Sequence, residues 1–234
     1  MTGVLLVVAC SLAGLVVGTL LTVVVERVPA KAPLAPAVRG LLADPLSYPG
    51  KRHSPLLELS TAALFAAAAL RFGADWALPA FLVFFAALLA VAVIDLEHYI
   101  VPNRIVASTL VVSVPLLGAA AALDGDWASL RHALLGAVVA GAGLLVINLI
   151  SPRGMGMGDV KLAVVLGLFL GWLDLAHVVL GLFLGFLLGA LGGVLLIALR
   201  LRKRSDHVPF APFLAGGAVV ATLAGNAFLD WYLG

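Results

Sequence analysis

The chain has 234 residues, 63% of them hydrophobic and only 11% charged, with a mean hydropathy of +1.18. No water-soluble domain of that length hides so much apolar surface, so the surrounding solvent is chiefly lipid. A net charge of +2 leaves no electrostatic footprint for nucleic acid, and the single cysteine, Cys10, excludes an internal disulfide or a thiolate zinc site within one chain.

A helix crosses the hydrocarbon core in about 20 residues. That length predicts an all-α, polytopic membrane protein of about eight spans, at 3–25, 55–71, 78–95, 102–122, 130–150, 157–173, 176–199 and 209–230. The first has no basic residue ahead of its apolar run, Val4–Val25, and reads as a span rather than a cleaved signal peptide. The loop Glu26–Ser54 carries Pro33, Pro36, Pro45 and Pro49 and is expected to form an irregular cap over the membrane face. Its Lys51, Arg52 and His53 suit lipid phosphates. Glu58 opens the second span, where a structural role and a contact to substrate or cofactor stand level.

The third span ends at Asp95, and the fourth restarts at Pro102 and Asn103, with proline at the first helical position. Ahead of the sixth span, Gly154, Gly156 and Gly158 lead into Asp159, with Lys161 two residues beyond. These glycines are expected to supply positive φ and room for another backbone. Lys161, about 200° around the helix from Asp159, is expected to snorkel to phosphates rather than pair with it. The uninterrupted apolar part of the sixth span, Leu162–Leu173, is short. The seventh bears Gly181, Gly185, Gly189 and Gly193, and Gly14/Gly18 and Gly167/Gly171 repeat that spacing, as smooth faces for close helix packing.

Eight spans place every lysine and arginine except Arg71 and Arg131 on one side. The positive-inside rule makes that side cytoplasmic and puts both termini on the other. Asp95 and Asp159 then share the cytoplasmic face. Two carboxylates at membrane depth are expensive and point to function, whereas Asp75, Asp124, Asp126, Asp174 and Asp230 read as caps or solvated loop ends. A proton-sharing pair can hydrolyse a peptide with neither metal nor covalent intermediate: one carboxylate takes a proton from water, the other donates to the scissile carbonyl. Asp159 begins a helix and Asp95 ends one, so the helix dipoles favour Asp159 as the ionised partner.

Gly156-Met157-Gly158-Asp159 resembles the GxGD motif of intramembrane aspartyl proteases. With Lys161 after it, and with Asp95 followed seven residues on by Pro102 and Asn103, the chain resembles the type IV prepilin peptidases. Residues 14–29, 55–59 and 208–215 are similar to that family's first, second and last helices. The resemblance implies Asp95 and Asp159 as the catalytic pair, with Gly156, Gly158, Lys161, Pro102 and Asn103 around them. It also implies removal of basic leader peptides from prepilins or pseudopilins at the cytoplasmic face of the bacterial inner membrane. Many members also methylate the new N-terminus with S-adenosylmethionine and carry CxxC zinc motifs in the first loop. The loop here has no cysteine, so zinc is not expected and methyl transfer stays open; no cofactor is required for the peptidase step.

Two regions are expected: 1–72, a reduced methyltransferase-like part, and 73–234, a six-helix peptidase core. The oligomeric state is not legible. The rival readings are a proton-coupled transporter using the Asp pair, which should show an inverted repeat absent from the sequence, and a non-catalytic pilus or secretion assembly factor.

Overall fold

Lipid offers no hydrogen bonds, so a spanning backbone must satisfy its own. In the computed structural model, residues 2–43, 54–151, 155–199 and 209–233 are described, and these form nine α-helices. They are α1 (Thr2–Arg27), α2 (Leu34–Ala43), α3 (Ser54–Phe72), α4 (Leu78–His98), α5 (Asn103–Asp124), α6 (Trp127–Ile150), α7 (Met157–Leu173), α8 (Leu175–Ala198) and α9 (Ala211–Leu233). Seven of them, all but α2 and α7, are long and apolar enough by length and composition to cross a membrane.

The short helix α2 was not expected. Pro36 sits in its first turn, where a missing N–H costs nothing because it has no partner inside the helix. Ala37 and Leu41, four residues apart, bury against Val23 of α1. The first loop is therefore partly an amphipathic helix rather than wholly irregular. Pro45, Pro49 and Lys51–His53 lie outside the described residues.

Glycines set the pairings. A Cβ on Gly14 or Gly18 would stand 2.6 Å from Ala62 Cα or 2.5 Å from Glu58 Cα, which makes α1 and α3 antiparallel neighbours at backbone contact. Likewise Gly171 of α7 lies against His132 and Ala133 of α6, and Gly167 against Gly136. On α8, Gly181 faces Ala221, Gly185 faces Leu214 and Gly189 faces Phe210, so α9 runs antiparallel to it. The fourth member of that stripe, Gly193, meets nothing within 4 Å; Gly192 instead faces Phe213. Each four-residue step over-rotates by about 40°, so Gly193 has drifted some 120° from Gly181, whereas Gly192 returns to within about 20°.

Helix α7 has 17 residues, about 25 Å, which is short against a hydrocarbon core of about 30 Å. It nonetheless traverses the bundle. Its first turn lies at the end where the start of α9 meets the end of α4, and α8, which follows it through Asp174 alone, starts at the opposite end beside Asn226 of α9. Its length is tolerated because Leu162, Val165, Leu166, Phe169 and Leu170 are buried in protein rather than matched to lipid. The outer helices behave oppositely: Val4, Leu70, Ile150 and Trp231 are exposed, as suits a protein solvated by acyl chains.

An aromatic cluster sets the register between α4 and α7. Phe84 stacks on Phe169 with ring centroids 4.2 Å apart, and Phe81 meets Phe169 edge-on at 5.2 Å. Asp95 lies 11 residues after Phe84, and Asp159 lies 10 residues before Phe169. At 1.5 Å per residue both carboxylates stand about 15–17 Å along the helices from the stacked rings, in the same direction.

Three of the other aspartates hold backbone N–H groups at or just before helix starts, whereas Asp124 ends α5 and Asp230 is exposed within α9. Asp75 Oδ1 accepts the N–H of Ala77 at 2.7 Å, Asp174 Oδ1 that of Ala176 at 2.8 Å, and Asp126 Oδ1 that of Ser129 at 3.1 Å. The Ser129 hydroxyl first, then its N–H, holds the Asp126 carboxyl below the usual carboxylate range. A carboxylate depressed in the folded state contributes stability above its unfolded pKa and loses it as pH falls through the folded one. Asp126→Ala is therefore expected to destabilise the protein by about 1 kcal/mol at neutral pH. The gap to wild type should close in acid, as thermal unfolding at a series of pH values will reveal.

Candidate active site

Asp95 occupies the last turn of α4 and is 5% exposed. The helix stops at Tyr99, a left-handed residue with φ 56° whose N–H returns to the Asp95 carbonyl at 2.9 Å. Asp95 Oδ2 accepts the N–H of Ala211 at 3.0 Å. That N–H opens α9, where the first four donors have no partner within the helix. Pro212 follows it and has no N–H to offer.

Asp159 is the third residue of α7 and is 7% exposed. Its Oδ2 accepts the N–H of Gly156, the residue preceding the helix, at 3.1 Å, and its own N–H donates to the Gly156 carbonyl at 3.1 Å. This is the reach-back half of a capping box. Glycine has no side chain to complete the other half. Gly158, next to Asp159, packs against Val101 of the segment that leaves α4 after Asp95, so the two carboxylates lie at the same end of the bundle.

The two carboxylates therefore have matching environments. Each is buried and each accepts a backbone N–H at a helix start, α9 for Asp95 and α7 for Asp159. The expectation that dipoles single out Asp159 as the ionised partner considered only the helix that carries each residue. The start of α9 supplies Asp95 with the same kind of donor and opposes the dipole of α4, so the contrast between the pair is smaller than their own helices alone imply.

The glycines also act differently from expectation. Gly156 has φ −77° and ψ 149°, ordinary extended backbone, and among the described residues only Gly73 and Gly125 are glycines of positive φ. Gly158 is needed for space: a Cβ there would stand 2.8 Å from Val101 Cβ. The backbone that approaches it is thus the chain's own α4–α5 connection. Gly154 lies outside the described residues. Lys161 is exposed, and its Nζ donates to Asn103 Oδ1 at 2.9 Å. It links the glycine–aspartate motif to Pro102 and Asn103 at the head of α5, instead of reaching for phosphates. Glu58 stands apart on the α1–α3 seam, where Oε1 accepts the Thr19 hydroxyl at 3.1 Å.

Three contributors were not anticipated. They are the Ala211 N–H, Val101 over Gly158, and Asn148 of α6, whose Nδ2 donates to the Met155 carbonyl at 2.7 Å. The flanking prolines Pro209 and Pro212 were the available signal for the first. Nothing local announces the other two.

Residues 82–197, which include both aspartates, match the model of the type IV leader peptidase family. The chain is 41% identical over 180 residues to the prepilin leader peptidase/N-methyltransferase of Bacillus subtilis (strain 168), covering 76% of this chain and 69% of that protein. The chain belongs to the type IV leader peptidase family. It is also 37% identical over 189 residues to the proteins of that name from Aeromonas hydrophila (76% of this chain, 61% of the relative) and Pseudomonas aeruginosa (79% and 62%). It thus spans about three fifths to two thirds of these relatives. No solved structure matches it. It is a multi-pass member of the prepilin peptidases.

For this leader peptidase the Gly158–Val101 contact gives a direct test. Gly158→Ala should push the α4–α5 connection away and lower cleavage about tenfold, and Val101→Gly in the same chain, which removes both the Cβ and the Cγ2 it would meet, should restore most of it. A double variant no faster than Gly158→Ala in a cleavage assay would count against steric linkage.

Proposed function

We propose that the chain hydrolyses the peptide bond joining a basic leader to a type IV prepilin or pseudopilin, with Asp95 and Asp159 as the reacting pair, at the cytoplasmic face of a bacterial inner membrane. The observation that carries this is the pairing itself: two buried carboxylates, 64 residues apart in sequence, brought to one end of the bundle and each held by a backbone N–H. One carboxylate, ionised, removes a proton from water as the water attacks the scissile carbonyl. Its partner, protonated, donates to the carbonyl oxygen; as the resulting diol collapses and the C–N bond breaks, the partner takes that proton back and the first carboxylate passes the proton it took from water to the leaving amine. Charge distribution along the sequence supports the cytoplasmic address, since the eight-span count puts every lysine and arginine but Arg71 and Arg131 in the loops on the side of Asp95 and Asp159.

We assign the six-helix part, 73–234, as the peptidase core, and 1–72 as a reduced N-terminal region; the match at 82–197 lies wholly in the former. Gly156, Gly158, Lys161, Pro102 and Asn103 shape the site, and Glu58, which holds the α1–α3 seam through Thr19, is a candidate contact for the substrate or a methyl donor. The carboxylate pair calls for no cofactor.

A second activity, transfer of a methyl group from S-adenosylmethionine to the new N-terminus, is favoured by the double name of the relatives. The cysteine zinc motifs that accompany it in many members do not fit a chain whose one cysteine is Cys10 of α1, so no step runs through zinc. Residues 44–53 of the first loop lie outside the described residues, and no residue there is assigned to the donor.

The test is co-expression with a prepilin, reading leader loss by gel shift and the mass of the product's N-terminus. Processing that survives both Asp95→Ala and Asp159→Ala ends the peptidase reading. A product without the added methyl mass ends the second.

A further inference from the structure

The Met155 carbonyl and the Gly156 N–H belong to one peptide group, and each is held. Asn148 Nδ2 donates to the carbonyl at 2.7 Å, and the N–H donates to Asp159 Oδ2 at 3.1 Å. Asn148 is half-buried in the last turn of α6, and Met155 is 8% exposed. The acceptor is a carbonyl, so chemistry fixes which end of the Asn148 amide faces it. A side-chain amide, a peptide and a carboxylate therefore form one continuous chain of donors and acceptors from α6 to α7. Hydrogen bonds in such a chain polarise one another: drawing on the peptide oxygen strengthens its N–H as a donor.

The chain solves a mechanical problem. Asp159 receives its bond from a peptide lying between Met155 and a glycine, with no bulky side chain on Gly156 to stop that peptide plane rotating. A rotated plane would present a carbonyl oxygen to the carboxylate in place of the N–H. Asn148, projecting from a helix that packs against α7 along Gly136–Gly167 and Gly141–Val164, is anchored to the same body that carries Asp159.

We propose that Asn148 is a positioning residue for Asp159, acting through the Met155–Gly156 peptide. This rests on the reading of Asp159 as a reacting carboxylate. Asn148 fixes the peptide plane, the plane commits Oδ2 of Asp159 to the Gly156 N–H, and Oδ1 is the oxygen left to address water.

The experiment uses the full chain in liposomes with a purified prepilin. Asn148→Asp and Asn148→Leu both keep the size of the side chain and remove the donor, and the ionised aspartate also sets an acceptor against an acceptor. Both are expected to lower kcat about tenfold, the rate equivalent of one hydrogen bond's net worth, with KM within about twofold of wild type. Amide hydrogen exchange at 155–160 should quicken in both. Wild-type kcat in either folded variant, or a loss confined to KM, overturns the proposal. If the leucine variant does not fold, the polar isostere decides. Asp159→Asn is measured alongside: cleavage that persists there refutes the dyad, whereas its loss beside wild-type kcat in the Asn148 variants refutes only the positioning role.

Discussion

Asp95→Asn and Asp159→Asn are each expected to lower the rate of leader cleavage about a thousandfold or more, with little change in stability. Asparagine is isosteric with aspartate, and its Oδ1 can still accept the Ala211 N–H in one case and the Gly156 N–H in the other. The helix starts therefore remain satisfied. What is lost is proton traffic: a general acid or base contributes about 10²–10⁴-fold, and here one substitution removes the proton that two groups share. Because the carboxylates act as a unit, the double variant should be scarcely slower than either single one. Single-turnover cleavage in liposomes, paired with thermal unfolding in detergent, reads both quantities. A single variant that cleaves at the wild-type rate would remove that carboxylate from the chemistry. A variant that loses stability as well as rate would point to a structural role.

Gly167→Val should be the most damaging substitution in the membrane core, at about 3 kcal/mol. A Cβ at Gly167 would land on the Gly136 carbonyl oxygen and stand 2.6 Å from its carbon, with Ala140 Cβ at 2.7 Å. Main chain faces main chain, so no side chain can swing aside. Helices α6 and α7 would have to part, taking Asp159 and the Asn148 anchor with them. Gly193→Val is the matched control, since nothing lies within 4 Å of its Cβ position, and it should be neutral within about 0.5 kcal/mol. Unfolding in mixed micelles compares the two directly. Equal stability would mean that the α6–α7 seam is looser than its backbone contact implies.

Much of the site was legible because lipid makes local rules strict. A carboxylate within an apolar stretch is costly wherever it sits, so Asp95 and Asp159 stood out against acids that merely cap helices, such as Asp75 and Asp126. The asymmetry of the basic loops put both at one end, and small-residue stripes at Gly14/Gly18 and Gly167/Gly171 marked real seams. Periodicity alone failed at Gly193, where a strict four-residue repeat outruns the helical turn. The cap formed by α2 was hidden because its apolar face is a short patch, Ala37 and Leu41 flanked by Leu34 and Val38 against Val23 and Leu20, a small signal in a loop rich in proline.

The sequence by itself determined the medium, the helical architecture and the two costly carboxylates that are the candidates for chemistry, because hydropathy, span length and the cost of a buried charge are properties of the chain. Only the tertiary structure decided what surrounds those residues. That α9 lends Asp95 an N–H, that Val101 occupies the space over Gly158, that Lys161 turns to Asn103 and that Asn148 holds the Met155–Gly156 peptide all depend on contacts between segments far apart in sequence. Local preference cannot encode which helix start a carboxylate will meet. Packing fixes that, through the Phe84–Phe169 register and glycine seams that bring the backbones together.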